Sequence, residues 1–202
     1  MSNLSDLLPS GGGQNIVDFT ASGTIASGKP VVLNANGTVS EVAGVAESLG
    51  SETAYESANT QWQAITFDSS NNKVVVAYRD AANSGYGTAV VGTVSGTSLS
   101  FGTPVVFNSG DGNTIEATFD SSNNKVVIGF RNSSYYPVAI VGTVSGTSIS
   151  FGSATVVHVI SAQQTGVSLC FDTDINRVIF VYTSGSNCYV KVGEVSGTSI
   201  SF

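Results

Sequence analysis

The chain has 202 residues, a formal net charge of −7 and only 10% charged residues, so its polarity comes from Ser, Thr, Asn and Gly. Its seven basic residues (Lys29, Lys73, Arg79, Lys125, Arg131, Arg177 and Lys191) are scattered, which excludes an electrostatic footprint for nucleic acid. No apolar run approaches the roughly 18 residues of a membrane-spanning helix, and the patterned Val, Ile and aromatic content separates the chain from disordered acidic segments.

Residues 1–17 read as a leader without the basic start or apolar stretch of a signal peptide. Leu4, Leu7 and Leu8 fall on one face of a single helical turn ended by Pro9, the pattern of a short docking peptide. Ser10 to Gly13 read as a flexible joint, and a disordered terminus is the plainer alternative for the whole leader. Residues 18–48 read as a small β module. Val31 to Leu33 and Thr38 to Val42 are predicted strands, and Asn36-Gly37 signals a hairpin because both residues tolerate positive φ. A hairpin of this size is not stable alone and must pack on something else.

From residue 49 to the end the chain repeats. "FDSSNNKVV" stands at Phe67–Val75 and again at Phe119–Val127, with the variant "FDTDINRVI" at Phe171–Ile179. "VGTVSGTS" begins at Val91 and Val141, and "VGEVSGTS" at Val192. The period is 50–52 residues over roughly 150 positions, and such a period decides the fold. In the first copy it predicts four strands, Trp62–Phe67, Lys73–Arg79, Thr88–Val94 and Ser98–Phe107, joined by turns that suit antiparallel hairpins. Val74, Val76 and Tyr78 share one face of the second strand, and Val75 and Ala77 the other, so each sheet is expected to be covered on both sides.

These features predict an all-β chain: a small N-terminal β module followed by four-stranded antiparallel repeats of about 50 residues, the pattern of β-propeller blades. Three copies are an incomplete ring, since propellers have roughly four to eight blades, and the third copy stops at Phe202 before its fourth strand completes. "SETAY" (Ser51–Tyr55) stands where "TPVVF" (Thr103–Phe107) precedes the second copy, and reads as an orphan fourth strand able to close a ring on the last blade. The natural polypeptide is expected to be longer.

No catalytic residue and no cofactor is assigned. Asp68, Asp120 and Asp172 each open a turn, where a carboxylate accepts hydrogen bonds from backbone N–H groups two or three residues on. Asp172, Asp174 and Asn176 resemble the start of a calcium loop but lack its glycine and its closing acid. His158, the single histidine, is expected to be packed, and neither Glu116 nor Glu194 has the partner a glycosidase needs. Cys170 and Cys188 fall on strands separated by an intervening one, about 10 Å apart. That is beyond disulfide reach, so both are expected to be free, buried thiols.

Differences between the copies are confined to one end. The first-to-second and third-to-fourth turns hardly change. The second-to-third loops ("DAANSGYG", "NSSYYP", "SGSN") and the links from Asn108 and Ser161 change completely. In a blade of successive hairpins these variable segments emerge together, where recognition loops belong. Tyr86, Tyr135, Tyr136 and Tyr189, with Asn83, Asn132 and Asn187, are the candidate ligand-binding residues, because aromatic rings with amide neighbours suit sugars. The alternative is that these tyrosines cap the blade ends.

The opening "MSNLSDLLPSGGGQNIVDFTASGTIASGKPVVLNANGTVSEV" resembles the starts of virion structural proteins from tailed phages of marine bacteria and cyanobacteria. The units "FDSSNNKVVVAYRD" and "VGTVSGTSLSFGTPVVF" resemble the repeats that such tail-fibre proteins carry, and cover about three quarters of the chain. The resemblance implies a non-enzymatic protein of the virion tail or capsid surface. Residues 1–48 would fasten it to other virion proteins, and its repeats would face a host-surface glycan. A homo-oligomer is expected, with neither nucleic acid nor membrane insertion. A capsid decoration or cement protein is the alternative, since similar Gly-rich modules occur there. A secreted propeller glycan hydrolase with active residues beyond Phe202 is the second alternative.

Overall fold

A computed structural model describes residues 19–42, 50–159 and 166–202. The predicted docking residues Leu4, Leu7 and Leu8, the joint, and positions 161–165 of the last variable link lie outside the described residues. The chain divides into two compact units, Met1–Ser48 and Leu49–Phe202, and every regular element among the described residues is a strand.

In the first unit β1 (Val31–Leu33) pairs antiparallel with β2 (Val39–Glu41). Asn34 N donates to Thr38 O at 2.8 Å and Gly37 N to Asn34 O at 3.0 Å. Of the two predicted turn residues only Gly37 is left-handed, at φ +81°. Asn36 contributes its side chain instead, accepting from Thr38 N at 3.1 Å and from the Thr38 hydroxyl at 2.7 Å. Val39 is buried, while Val31, Val32 and Leu33 are all exposed.

The described residues of the second unit form three antiparallel sheets. The first contains β3 (Thr60–Asp68), β4 (Lys73–Asp80), β5 (Tyr86–Ser95), β6 (Ser98–Phe101) and β7 (Val105–Asp111), in the order β3-β4-β5-β6 with β7 also on β5. The second repeats this plan with β8 (Asn113–Asp120), β9 (Lys125–Arg131), β10 (Pro137–Ser145), β11 (Ser148–Phe151) and β12 (Thr155–Val156). The third has β13 (Val167–Asp172), β14 (Arg177–Ser184), β15 (Asn187–Ser196) and β16 (Ser199–Ser201). None closes into a barrel, as expected of propeller-like blades in an incomplete ring.

The fourth strand differs from the continuous run predicted over Ser98–Phe107. Gly92 faces Phe101 and Ala89 faces Val105, so the outer strand carries one extra residue. It breaks at Gly102–Pro104, where Pro104 has no N–H to donate, and resumes as β7. Gly102 N still reaches Val91 O at 2.8 Å. The second sheet has the same break without a proline, and there Gly152 N donates to Val141 O at 2.9 Å. Ser51–Tyr55 is not a strand, and none of the described strands pairs with it.

The apolar cores lie between sheets. Val75, Ala77, Ala89 and Val91 of the first sheet bury against Ile115, Val126, Ile128, Phe130 and Ile140 of the second. Val127, Ala139 and Val141 of the second bury against Val167, Val178, Phe180 and Tyr182 of the third. Each sheet thus has a trailing face toward the next repeat and a leading face toward the previous one. The alternation in β4 divides as predicted: Val75 and Ala77 point to the trailing face, and Val76 and Tyr78 to the leading one.

The cysteines require a correction. Cys170 on β13 and Cys188 on β15 are free and separated by β14, but both are exposed. They pair across the ladder with Ile179 and Thr183, on the trailing face of the third sheet, which no sheet among the described residues covers. The equivalents of Cys188, Gly87 and Pro137, are buried by the next sheet.

Candidate loop-end recognition site

The β3–β4, β5–β6 and equivalent turns lie at one end of the sheets, and the β4–β5, β9–β10, β14–β15 and inter-repeat connections at the other. The constant end is self-contained. Asp68 Oδ1 accepts from Ser70 N (3.0 Å), the Ser70 hydroxyl (2.6 Å) and Asn71 N (3.0 Å), and Oδ2 accepts from Asn71 Nδ2 (2.9 Å). Asp120 repeats all four bonds. Asn72, Asn124 and Asn176 complete the turns at φ +53°, +53° and +54°. The nine-residue repeat therefore encodes a turn whose polar groups bond to one another.

The loop end is different in each repeat. Tyr135 is 46% exposed and holds φ +65°, a strained value for a non-glycine residue. Asn132 maintains it: Oδ1 accepts from Ser134 N and Tyr136 N at 3.0 Å each, while Tyr135 N donates to Asn132 O at 2.9 Å. The Arg131 guanidinium lies 4.8 Å from the Tyr135 ring centroid, a cation–π contact. Asn132 thus shapes the loop that presents Tyr135. Tyr86 and Tyr136 are half-buried, and Tyr136 packs against both cores. Tyr189 is exposed and stacks on Tyr182, with centroids 5.5 Å apart. His158 closes this cluster, its Nδ1 2.9 Å from the Tyr182 hydroxyl. Asn83 shapes the β4–β5 loop through its backbone, donating N–H to Asp80 Oδ1 at 3.0 Å, and Asn187 Nδ2 reaches the Tyr189 hydroxyl at 3.5 Å. No described ring contact joins Tyr86, Tyr135 and Tyr189.

Trp62 is the residue that sequence reasoning missed. It is 50% exposed at φ +54°, in a β-bulge between Gln61 and Ala64. Thr114 occupies the equivalent bulge of β8 at φ +49°. The signal available was that the chain's single Trp replaces a Thr between copies. Beside it Arg79 donates from Nη1 to Gln61 Oε1 (2.8 Å) and from Nε to Asp111 Oδ1 (2.7 Å), and Asn113 Nδ2 donates to Asp111 Oδ2 (2.7 Å). Partial burial works to raise the Asp111 carboxyl, but the Arg79 and Asn113 bonds and the nearby guanidinium charges outweigh it and hold the group below its ordinary value.

Of the strand acids, Glu194 pairs with Arg177 at 3.1 Å on the surface. Glu116 on β8 is partly desolvated, which raises its carboxyl above the ordinary value. A raised acid pKa favours the protonated folded state, so this group loses stability as pH rises from about 4.5 upward. Glu116→Gln should raise the melting temperature at pH 7 by about 1–2 °C and change nothing at pH 3.5. A lower melting temperature at pH 7 would contradict the sign. Among the described residues no three His, Cys, Asp or Glu side chains converge as metal ligands.

The chain matches no protein-family model, no curated protein and no solved structure.

Proposed function

We propose that this chain is a non-enzymatic virion structural protein, a tail-fibre-like appendage whose loop end binds a host-surface glycan. The observation that supports this reading is the asymmetry between the ends of the blades. Closely similar turns, with internally satisfied Asp side chains in the first two repeats, occupy one end, and Trp62, Tyr135 and Tyr189 stand exposed on dissimilar segments at the other. Rings held by hydrogen-bonded loops present an apolar face to a sugar at small entropic cost, and Gln61, Arg79 and Asn83 supply polar neighbours. The virion setting rests on the resemblance of the leader and repeats. The exposed row Val31, Val32 and Leu33 gives the first unit an apolar surface for anchoring.

The test is binding of purified chain to surface polysaccharides of candidate hosts. Trp62→Ala and Tyr135→Ala should each weaken binding about tenfold, the loss of roughly 1.4 kcal/mol of stacking. Ser70→Ala at the constant end should leave it unchanged. Undiminished binding by the Trp62→Ala/Tyr135→Ala double variant would refute the loop-end assignment. Chain lacking residues 1–48 that still enters particles would refute the anchor.

A further inference from the structure

The hairpin turn of the first unit carries the sequence's single Asn-Gly pair, Asn36-Gly37. An Asn side chain is short enough for its carbonyl carbon to meet the backbone nitrogen of the next residue, and the side chain of that residue is what shields the nitrogen. Gly37 has no side chain, and nothing lies within 4 Å of the place a Cβ would take. Both residues are exposed, and Gly37 holds φ +81°.

The turn brings the two groups together. Asn36 Oδ1 accepts from Thr38 N at 3.1 Å and from the Thr38 hydroxyl at 2.7 Å. A side-chain carbonyl tied to the N–H two residues on lies over the intervening peptide, which sets Asn36 Cγ beside Gly37 N. The same two donors point at the oxygen on which negative charge collects when that nitrogen attacks, as in an oxyanion hole. One bond opposes the attack: Gly37 N donates to Asn34 O at 3.0 Å and must first be released. Release is local and costs little, because β1 and β2 are three residues each and Val39 is their only buried side chain.

We propose that Asn36 is a self-modification site, converting through a cyclic imide to aspartate and isoaspartate with water as the co-reactant. Gly37 N gives its proton to solvent, and its electron pair forms a bond to Asn36 Cγ. The Cγ–Nδ2 bond breaks, and the nitrogen takes up a proton and leaves as ammonia. Water then opens the imide. Cleavage at Cγ gives aspartate, and cleavage at the main-chain carbonyl carbon of Asn36 gives isoaspartate. No oxidant or reductant takes part, and either product adds one negative charge. Isoaspartate also routes the main chain through Cβ and Cγ, one carbon longer, inside a turn closed by Asn34 N to Thr38 O. That extra length disturbs the Leu33–Val39 pair beside the turn and loosens the strand bearing Val31 and Val32. Asp111-Gly112 is the internal contrast. Its carboxylate stays ionised on Arg79 Nε and Asn113 Nδ2, both at 2.7 Å, and an ionised carboxylate resists attack by a nitrogen. Gly112 N is also engaged, donating to Gly85 O at 3.1 Å. At Asn132 the Cβ of Ser133 shields the nitrogen. The modification does not depend on what the loop end binds.

The test is incubation of the full chain in mildly alkaline buffer, with and without urea, followed by peptide mass spectrometry. In the folded chain the peptide carrying Asn36 should show the mass shift of amide-to-acid conversion, with isoaspartate as the larger product. Its rate should be no lower than in urea, Asn132 should lag severalfold, and Asp111 should yield no isoaspartate. Gly37→Ala should slow the conversion severalfold in both conditions, since the added Cβ shields the nitrogen whether or not the hairpin keeps its shape. An Asn36 that stays intact in the folded chain and converts in urea overturns the proposal, because the turn then protects the amide. Aspartate without isoaspartate overturns the imide route, and an undiminished rate in Gly37→Ala overturns the shielding argument. Isoaspartate at Asp111 in the folded chain overturns the selection of Asn36.

Discussion

Gly102→Ala should lower the melting temperature of the repeat unit by about 10 °C, the equivalent of roughly 3–4 kcal/mol. The cause is steric and crosses a sheet boundary. A Cβ on Gly102 would lie 3.0 Å from the carbonyl carbon of Thr147 in the next repeat, with the carbonyl oxygen nearer still. Both are backbone atoms of a tight turn, so relief requires the two sheets to separate, and the core between them loosens with the turn. The same close approach recurs at Gly50 with Thr97, 3.1 Å from the carbonyl carbon, and at Gly152 with Thr198, at 2.9 Å. Gly146 offers the control. It holds φ +60° with nothing within 4 Å of a would-be Cβ, so Gly146→Ala meets only left-handed backbone strain, about 1 kcal/mol. Thermal unfolding followed by circular dichroism separates the cases, and equal losses for the two variants would show that the contact between repeats does not limit packing.

The repeat makes most of this fold legible in the sequence. The period and alternation in "KVVVAY" and the turn residues of "DSSNN" locate the strands to within a residue or two, because both depend on local chemistry. What was not legible depends on neighbours. The break at Gly102–Pro104 follows from a one-residue mismatch against β5, a property of two strands together. Trp62 stands in a bulge that shifts the register of β3, and nothing in "TQWQAIT" announces a bulge. Cys170 and Cys188 were expected to be buried and are exposed: the counterparts of Cys188, Gly87 and Pro137, are covered by the next sheet, and the third repeat has no such sheet among the described residues. The loop-end residues were legible by their variation between copies. Their differing roles were not: Asn132 braces a turn through its side chain, while Tyr135 is what the turn displays.

Asp120→Ala should cost about 2–4 kcal/mol and Asp172→Ala about 1 kcal/mol, although the two residues hold the same place in the repeat. Asp120 is 1% exposed, and its carboxylate accepts from Ser122 N (2.9 Å), the Ser122 hydroxyl (2.7 Å), Asn123 N (3.0 Å) and Asn123 Nδ2 (3.0 Å). Alanine strips all four donors of their acceptor at a site closed to water, while Asn124 still has to hold φ +53°. Asp172 is half-buried and accepts from Asp174 N (2.9 Å) and Ile175 N (3.2 Å), so water can replace much of what alanine removes. Asp120→Asn keeps an acceptor oxygen toward the backbone and should recover more than half of the loss, which separates turn geometry from charge. Glycan binding by every folded variant should be unchanged, since these turns lie at the opposite end of the sheets from the β3 bulge bearing Trp62 and the loop bearing Tyr135. Urea denaturation at neutral pH gives the comparison. Equal costs at Asp120 and Asp172 would mean that burial does not set the strength of the turn, and lost binding in a stably folded Asp120→Ala chain would move the recognition surface to the end of the blades assigned here to scaffold.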